Sequence, residues 1–446
     1  MLLLLALACT EATVDTASDT ATTPTYVPWS RTRAPLQHTT ASGRAWKRGI
    51  IHLHSPFSHD ACDGDPMPGG VPDPTCLAHL RAALCDAGED FAFLTDHPTH
   101  AAFQPYATLL QPQGQDELLD GGRANRLRCD DGRTLLTLPG IEDELMPVGL
   151  DAHAAEIGAA ADALYNGTDE ATVAAEVAAG GTVLQAHTEQ RPLEELLDRQ
   201  AWGLSGVEIF NLHAMVDPDI REESLGLDAF GMLDAIAPFL AGQTDAEPDL
   251  AFLAFYQQQD VSLEKWDAMN AVAPTVGTAG TDAHENALPM VLSDGERVDS
   301  YRRMMSWFSN ILLVDGDAYT DVEAALRAGR NLVAFEALGT PASFDVRYGD
   351  LEMAGTGAAG GALEVGCPTL APESPQDGNV PTITVHVLKD GAPFAEGCGS
   401  HALTEPGIYR VRVDITPTHL GAFLGDQAAT LVRPYPWLYS GAFRIR

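Results

Sequence analysis

The chain reads as an α/β protein: a closed or nearly closed barrel of seven strand–helix units over residues 46–340, followed by a small antiparallel, sandwich-like β domain over 341–446. Three observations predict this. Short β-rich apolar runs alternate with helical patterns from about residue 46 to 340, the arrangement of a parallel sheet with crossover helices. His, Asp and Glu collect at the C-terminal ends of those runs, where such barrels place their functional groups. Beyond Gly339-Thr340-Pro341 the composition turns to Gly, Ala and Pro, and the remaining periodicity is two.

The apolar opening Met1-Leu-Leu-Leu-Leu-Ala-Leu-Ala-Cys9 is too short to span a bilayer and reads as the end of an export signal. Its Leu-Ala-Cys ending resembles a bacterial lipoprotein signal, which implies a lipid anchor at Cys9. Residues 10–45, rich in Thr, Ser, Ala and Pro, read as a flexible tether. Strands are predicted at 48–53, 90–95, 135–141, 182–186, 206–210, 275–280 and 310–314. Asp73-Pro74 supplies an N-cap and first-turn proline for a helix carrying Leu77, Leu80 and Leu84 and stopped by Gly88. Thr320 and Glu323 are spaced as a capping box before Val322, Ala325 and Leu326. In the C-terminal region 382–388 and 408–415 alternate as antiparallel strands.

With 63 acidic and 26 basic residues among 446, the formal charge is -37. Nucleic acid is excluded as a partner, because phosphate backbones need clustered Lys and Arg. Setting Cys9 aside leaves Cys62, Cys76, Cys85, Cys129, Cys367 and Cys398. Six cysteines allow 15 pairings, and pairing between sequence neighbours is the simplest. Cys76 and Cys85 fall on opposite faces of one helix and should not pair with each other. The absence of Cys-x2-Cys spacing argues against thiolate metal sites.

The strand ends carry the chemistry. The first ends at His52 and His54, which alternation puts on one face. The second ends in Asp96-His97, the third in Glu142 with His153 eleven residues on, the fourth in His187, and the sixth in Asp282 and His284. Each alone reads as a capped loop or a satisfied core histidine. Together they bring imidazole and carboxylate ligands to one rim, a set suited to Zn²⁺, Mn²⁺ or Fe²⁺ and not to Ca²⁺. Glu208 and Asn211, at the end of the fifth strand, share the rim and shape the pocket.

His52-x-His54, Thr95-Asp-His97, Gly140-Ile-Glu142, His187 and Asp282-x-His284 resemble, in order, the motifs of the polymerase-and-histidinol-phosphatase (PHP) family of metal-dependent hydrolases, which are distorted seven-stranded β/α barrels. The resemblance spans residues 48 to about 340. It implies two to three divalent transition-metal ions. His52, His54, Glu142 and Asp282 would hold one, and Glu142 would bridge to a second on His153 and His187. His97 and His284 would hold a third with the Ser58-His59-Asp60 segment. There the family commonly has Ser-Asp-Gly; Asp60 is the expected ligand and His59 the alternative. Glu142, Asp282 and His284 are the expected catalytic groups, and Asp96 would orient His97 or a neighbouring ligand. Pro406-Gly-Ile-Tyr-Arg-Val-Arg-Val and Arg433-Pro-Tyr-Pro-Trp-Leu-Tyr-Ser resemble the tail of the carbaryl-hydrolase-like branch of that family, with Trp437 and Tyr439 packing the β domain.

The resemblance implies hydrolysis of a small-molecule phosphoester by a water activated between ions. Two other readings stand beside it: a carboxylester, carbamate or amide hydrolase on the same centre, and a surface binding protein with an inactive barrel. Arg191, four residues past His187, is the candidate contact for an anionic substrate group. The expected location is the bacterial cell envelope, lipid-anchored on its periplasmic or surface face.

Overall fold

The computed structural model describes residues 27–243 and 245–446. The signal-like segment 1–9 and most of the expected tether lie outside the described residues. The first eleven strands are β1 (Ala45–Ile50), β2 (Phe91–Asp96), β3 (Glu117–Leu119), β4 (Ala124–Arg128), β5 (Thr134–Ile141), β6 (Leu145–Val148), β7 (Thr182–Gln185), β8 (Gly206–Asn211), β9 (Val276–Gly280), β10 (Ser309–Val314) and β11 (Asn331–Ala334). Each of the seven predicted strands forms, in a mixed α/β chain. β2, β8, β9 and β10 are buried along their whole length, as strands covered on both faces must be.

Parallel pairing joins β1 to β2 and β2 to β5, the latter in register from Phe91–Leu136 to Asp96–Ile141. It also joins β7 to β8 and β8 to β9. Past the end of β1, a parallel bridge pairs Leu53 with Ala283, flanked by bonds from His54 N to Ala283 O (3.2 Å) and from Asp282 N to His52 O (3.1 Å). The first and sixth strand ends therefore meet directly.

Two features depart from the predicted succession. β6, which the sequence reading did not contain, runs antiparallel between β5 and β7. The last predicted strand, β10, is antiparallel to β1 and to β11 and lies outside the parallel succession. A four-residue strand such as β6, Leu-Met-Pro-Val, is too short to show periodicity, and its proline reads as a breaker.

The helix Pro74–Asp86 starts as predicted, with Asp73 accepting from the backbone N–H of Thr75 and Cys76 at 2.9 Å each. The later helix, Tyr319–Arg327, begins ahead of the predicted box. Asp321 caps it by accepting from Ala318 N (3.0 Å), and Glu323 is buried instead. The disulfides Cys62–Cys76, Cys85–Cys129 and Cys367–Cys398 are those of neighbour pairing.

Residues 27–45, expected as the end of a tether, lie against the rest of the chain. Trp29 Nε1 donates to Asp249 (3.1 Å), Arg33 pairs with Glu89 and Glu336, and Ala34 O accepts from Arg48 Nη2 (2.7 Å). Trp29, Arg33 and the aromatic His38–Trp46 contact supply the burial that the Thr/Pro composition concealed.

The two predicted C-terminal strands pair antiparallel, although 355–357 runs parallel to 443–445, and their main sheet continues the larger one. The strand at 435–440 pairs with β11 on one side and with 407–416 on the other, and 407–416 pairs with 382–389. Trp437 is fully buried and donates to Gly339 O (2.8 Å), and Tyr439 donates to Gln258 Oε1 (2.6 Å). Both pack this seam.

Candidate metal centre

At the C-terminal ends of the parallel strands, nine side chains converge: His52, His54, Asp60, His97, Glu142, His187, His213, Asp282 and His284. They form four overlapping groups. These are His54–Asp60–His97–His284, His52–Glu142–His187, His52–His54–Asp282 and His187–His213–Asp282, with donor atoms within 4.8 Å of one another in each.

Asp282 is the hub. Its Oδ1 lies 3.3 Å from His52 Nε2, 3.1 Å from His54 Nε2 and 3.4 Å from His284 Nε2. Its Oδ2 lies 3.4 Å from His187 Nε2 and 3.1 Å from His213 Nδ1. Asp282 and His187 both adopt φ of +50°, a left-handed conformation costly for a residue with a Cβ and frequent where a functional side chain must be aimed. Gly280, two residues earlier, is required by close approach: a Cβ there would collide with Glu208 Oε1 and crowd His52 Nδ1.

The outer ring nitrogens fix which nitrogen faces inward. His52 Nδ1 meets Glu208 Oε1 at 2.7 Å. His54 Nδ1 meets Ser58 Oγ at 2.9 Å, and that hydroxyl donates to Asp60 Oδ1 at 2.7 Å. His97 Nδ1 meets the Glu142 carbonyl at 2.8 Å, and His284 Nδ1 the Asp282 carbonyl at 2.7 Å. Each partner takes an N–H, so in the neutral ring the lone pair sits on Nε2 and points inward. His52 Nε2 and His54 Nε2 lie only 3.1 Å apart, both beside the Asp282 carboxylate. Glu142 Oε2 lies 2.8 Å from His97 Nδ1, and His187 Nδ1 is buried with no hydrogen bond among the described residues. This imidazole–carboxylate donor set fits divalent transition metals.

The proton affinities report the same crowding. Although burial disfavours its charge, His52 is raised well above an ordinary imidazole by Asp282 and Glu208. Burial and the neighbouring His284 push His54 well below. Burial opposes ionisation of Asp282, yet the surrounding histidines, His52 first, hold it well below the usual carboxylate range. Against burial, Asp60 and Glu142 raise His97 to about 11.

Of the residues expected from sequence, His153 is not brought to the cluster. Its Nε2 takes the Gln104 carbonyl at 2.9 Å and its Nδ1 faces Tyr165 Oη at 3.3 Å. β6 reverses the chain after Glu142 and carries His153 to the 98–106 segment. His213, which sequence reasoning passed over, stands against Asp282 and His187 instead; the signal was a histidine two residues past the end of β8. Asp60, not His59, joins His54, His97 and His284, and His59 is exposed. Asp96 orients no histidine: its carboxylate accepts from Ser55 N (2.5 Å) and Ser55 Oγ (2.7 Å) and so ties down the loop leading to Asp60. Glu208 does more than shape the pocket, since it holds His52 and also accepts from His187 N (3.0 Å) and Asn211 Nδ2 (2.8 Å). Arg191 is engaged by Glu144 at 3.0 Å.

No known family profile and no curated protein matches this sequence. Three solved structures are similar. A two-domain protein from Bacteroides vulgatus, described as containing a predicted PHP-like metal-dependent phosphoesterase, is 12% identical with TM-score 0.36 over 91% of this chain and 98% of that one. PsfC from Pseudomonas syringae is 12% identical, TM-score 0.34, over 61% and 83%. A protein from Bifidobacterium adolescentis described as a metal-dependent phosphoesterase is 16% identical, TM-score 0.27, over 58% and 94%.

Proposed function

We propose that this chain is a PHP-type hydrolase that cleaves phosphoester bonds with two to three divalent ions, Zn²⁺, Mn²⁺ or Fe²⁺, on a distorted barrel. The observation that carries the reading is the convergence of six imidazoles on Asp282, Glu142 and Asp60 at one strand-end rim, with donor atoms within 4.8 Å of one another in each group. His52, His54 and Asp282 would hold one ion, Glu142, His187, His213 and Asp282 a second, and His54, Asp60, His97 and His284 a third. Bound ions of this class acidify a water and polarise the ester's oxygen.

The protein's own groups do the rest. Glu208, Ser58 and the carbonyls of Glu142 and Asp282 lock five-membered rings that would otherwise turn, so the donors need no reorganisation when substrate arrives. His52 and His54 are closed off from solvent, whereas Asp60 (32% exposed side chain), His97 (21%) and His213 (40%) face it. Substrate therefore approaches across those three. His213, the most exposed ring, has Nε2 3.7 Å from Asp217, a place to hold a proton near the leaving group.

Protein purified without chelator is expected to carry two to three equivalents of transition metal and to hydrolyse phosphoesters in a screen that also contains carboxyl esters, carbamates and amides. Protein that stays metal-free after incubation with Zn²⁺, Mn²⁺ and Fe²⁺ ends this reading; metal-dependent cleavage confined to the carboxyl derivatives replaces the substrate class. Glu142→Gln, which keeps size but removes the carboxylate's charge, should lower metal content and cut turnover by roughly 10³-fold or more.

We further propose export to the bacterial envelope with a lipid anchor at Cys9. The three disulfides support it, since such bonds persist in oxidising compartments. Full-length protein should fractionate with membranes with the other six cysteines blocked to alkylation; cytosolic protein with free thiols would contradict this.

A further inference from the structure

We propose that Glu189, clamped in place by Lys265, is a positioning residue for His187, resting on the metal-centre reading above. β7 ends at Gln185, His187 turns left-handed, and Thr188–Gln190 forms one 3-10 turn. This tight path folds the Glu189 side chain back beside the ring two residues before it. Lys265, from the helix Asp260–Val272, closes the turn by donating from Nζ to the carbonyls of Thr188 (2.9 Å) and Glu189 (3.0 Å).

The Glu189 carboxylate is fully buried, and neither oxygen makes a hydrogen bond. Its Oε1 lies 3.6 Å from His187 Nδ1, which is also buried and without a hydrogen bond. A buried carboxylate with no hydrogen bond costs several kcal/mol, so its presence beside an equally unsatisfied imidazole nitrogen is informative. His187 Nε2, on the far side of the ring, points at Asp282 Oδ2 (3.4 Å) and Glu142 Oε1 (3.6 Å). Glu189 therefore stands to His187 as Glu208 stands to His52: an acceptor for the outer N–H that leaves the inner nitrogen free to ligate. The 3.6 Å separation is slightly longer than a formed hydrogen bond, and a small turn of the ring would form one. Lys265 holds the carboxylate's own backbone and supplies the neighbouring positive charge.

The test uses Co²⁺ as probe on the full chain, reading stoichiometry, affinity by chelator competition, and the visible d–d spectrum. Wild type is expected to load with the spectrum of mixed nitrogen–oxygen coordination. Glu189→Ala should weaken one Co²⁺ by about 10–100-fold and alter the spectrum, with the other ions retained. Glu189→Gln, which keeps an acceptor for Nδ1–H, should restore most of that affinity. Lys265→Met should weaken the same ion. If Glu189→Ala loses thermal stability while affinity and spectrum stay as in wild type, the residue is merely structural and the inference is overturned alone. If wild type takes up no Co²⁺, the metal reading falls and this inference with it.

Discussion

Asp282→Asn is expected to abolish turnover, by roughly 10⁴-fold or more, and to strip most of the bound metal. One carboxylate faces five imidazoles, His52, His54 and His284 through Oδ1 and His187 and His213 through Oδ2, at 3.1–3.4 Å. No other side chain of the cluster touches as many donors, so removing its charge disturbs all the proposed positions at once. The amide is isosteric, and Asp282 N still donates to His52 O through the backbone. Folding should therefore persist, as circular dichroism would show beside metal analysis and phosphoesterase assay. Retention of full metal content and activity would remove Asp282 from the centre and with it the arrangement proposed here.

Arg48→Met is expected to give the largest loss of stability, about 3–5 kcal/mol, by leaving buried charge uncompensated. Arg48 is 2% exposed and bidentate to Glu336, at 2.8 Å from Nε and 2.6 Å from Nη2. Glu336 also accepts from Arg33 (3.0 Å), Ser309 (2.5 Å) and Thr340 (2.9 Å). The N-terminal segment, β1, β10 and the chain after β11 thus meet on one carboxylate. Burial opposes its ionisation, but Arg33 and Arg48 lower its pKa to about 2. A depressed carboxylate stabilises fully above its unfolded value near 4.5 and loses that contribution as pH falls through about 2. Urea denaturation should show a lower midpoint for the variant at neutral pH and a gap to wild type that narrows in acid. An unchanged midpoint would contradict this role.

Much of the site was legible because strand ends are local. His52 and His54 follow the end of β1, and Asp282 and His284 the end of β9, so their meeting follows once those ends lie side by side. What was not legible depended on the path between elements. His153 is near Glu142 in sequence, but β6 turns the chain away. His213 sits past β8 in a 3-10 turn, where no periodicity marks it. The packing of 27–45 was hidden for a different reason: a segment without repeating hydrophobicity can still dock through single large side chains such as Trp29 and a buried arginine.

The pairing of β11 with the strand at 435–440 has a consequence in time as well as in space. Leu332, Val333 and Ala334 hydrogen-bond along residues 438–440, roughly a hundred positions later in synthesis. Until residues 438–440 have emerged, the edge of β11 presents open N–H and C=O groups, the kind of surface on which sheets add foreign strands. Closing so long a loop is slow, so the growing chain passes through an interval in which a nearly complete sheet lacks its final neighbour. Nascent chains halted at residue 430 should be captured by strand-binding chaperones far more readily than the finished protein. Residues 438–440 thus act as the latch on a sheet whose other strands are made long before them.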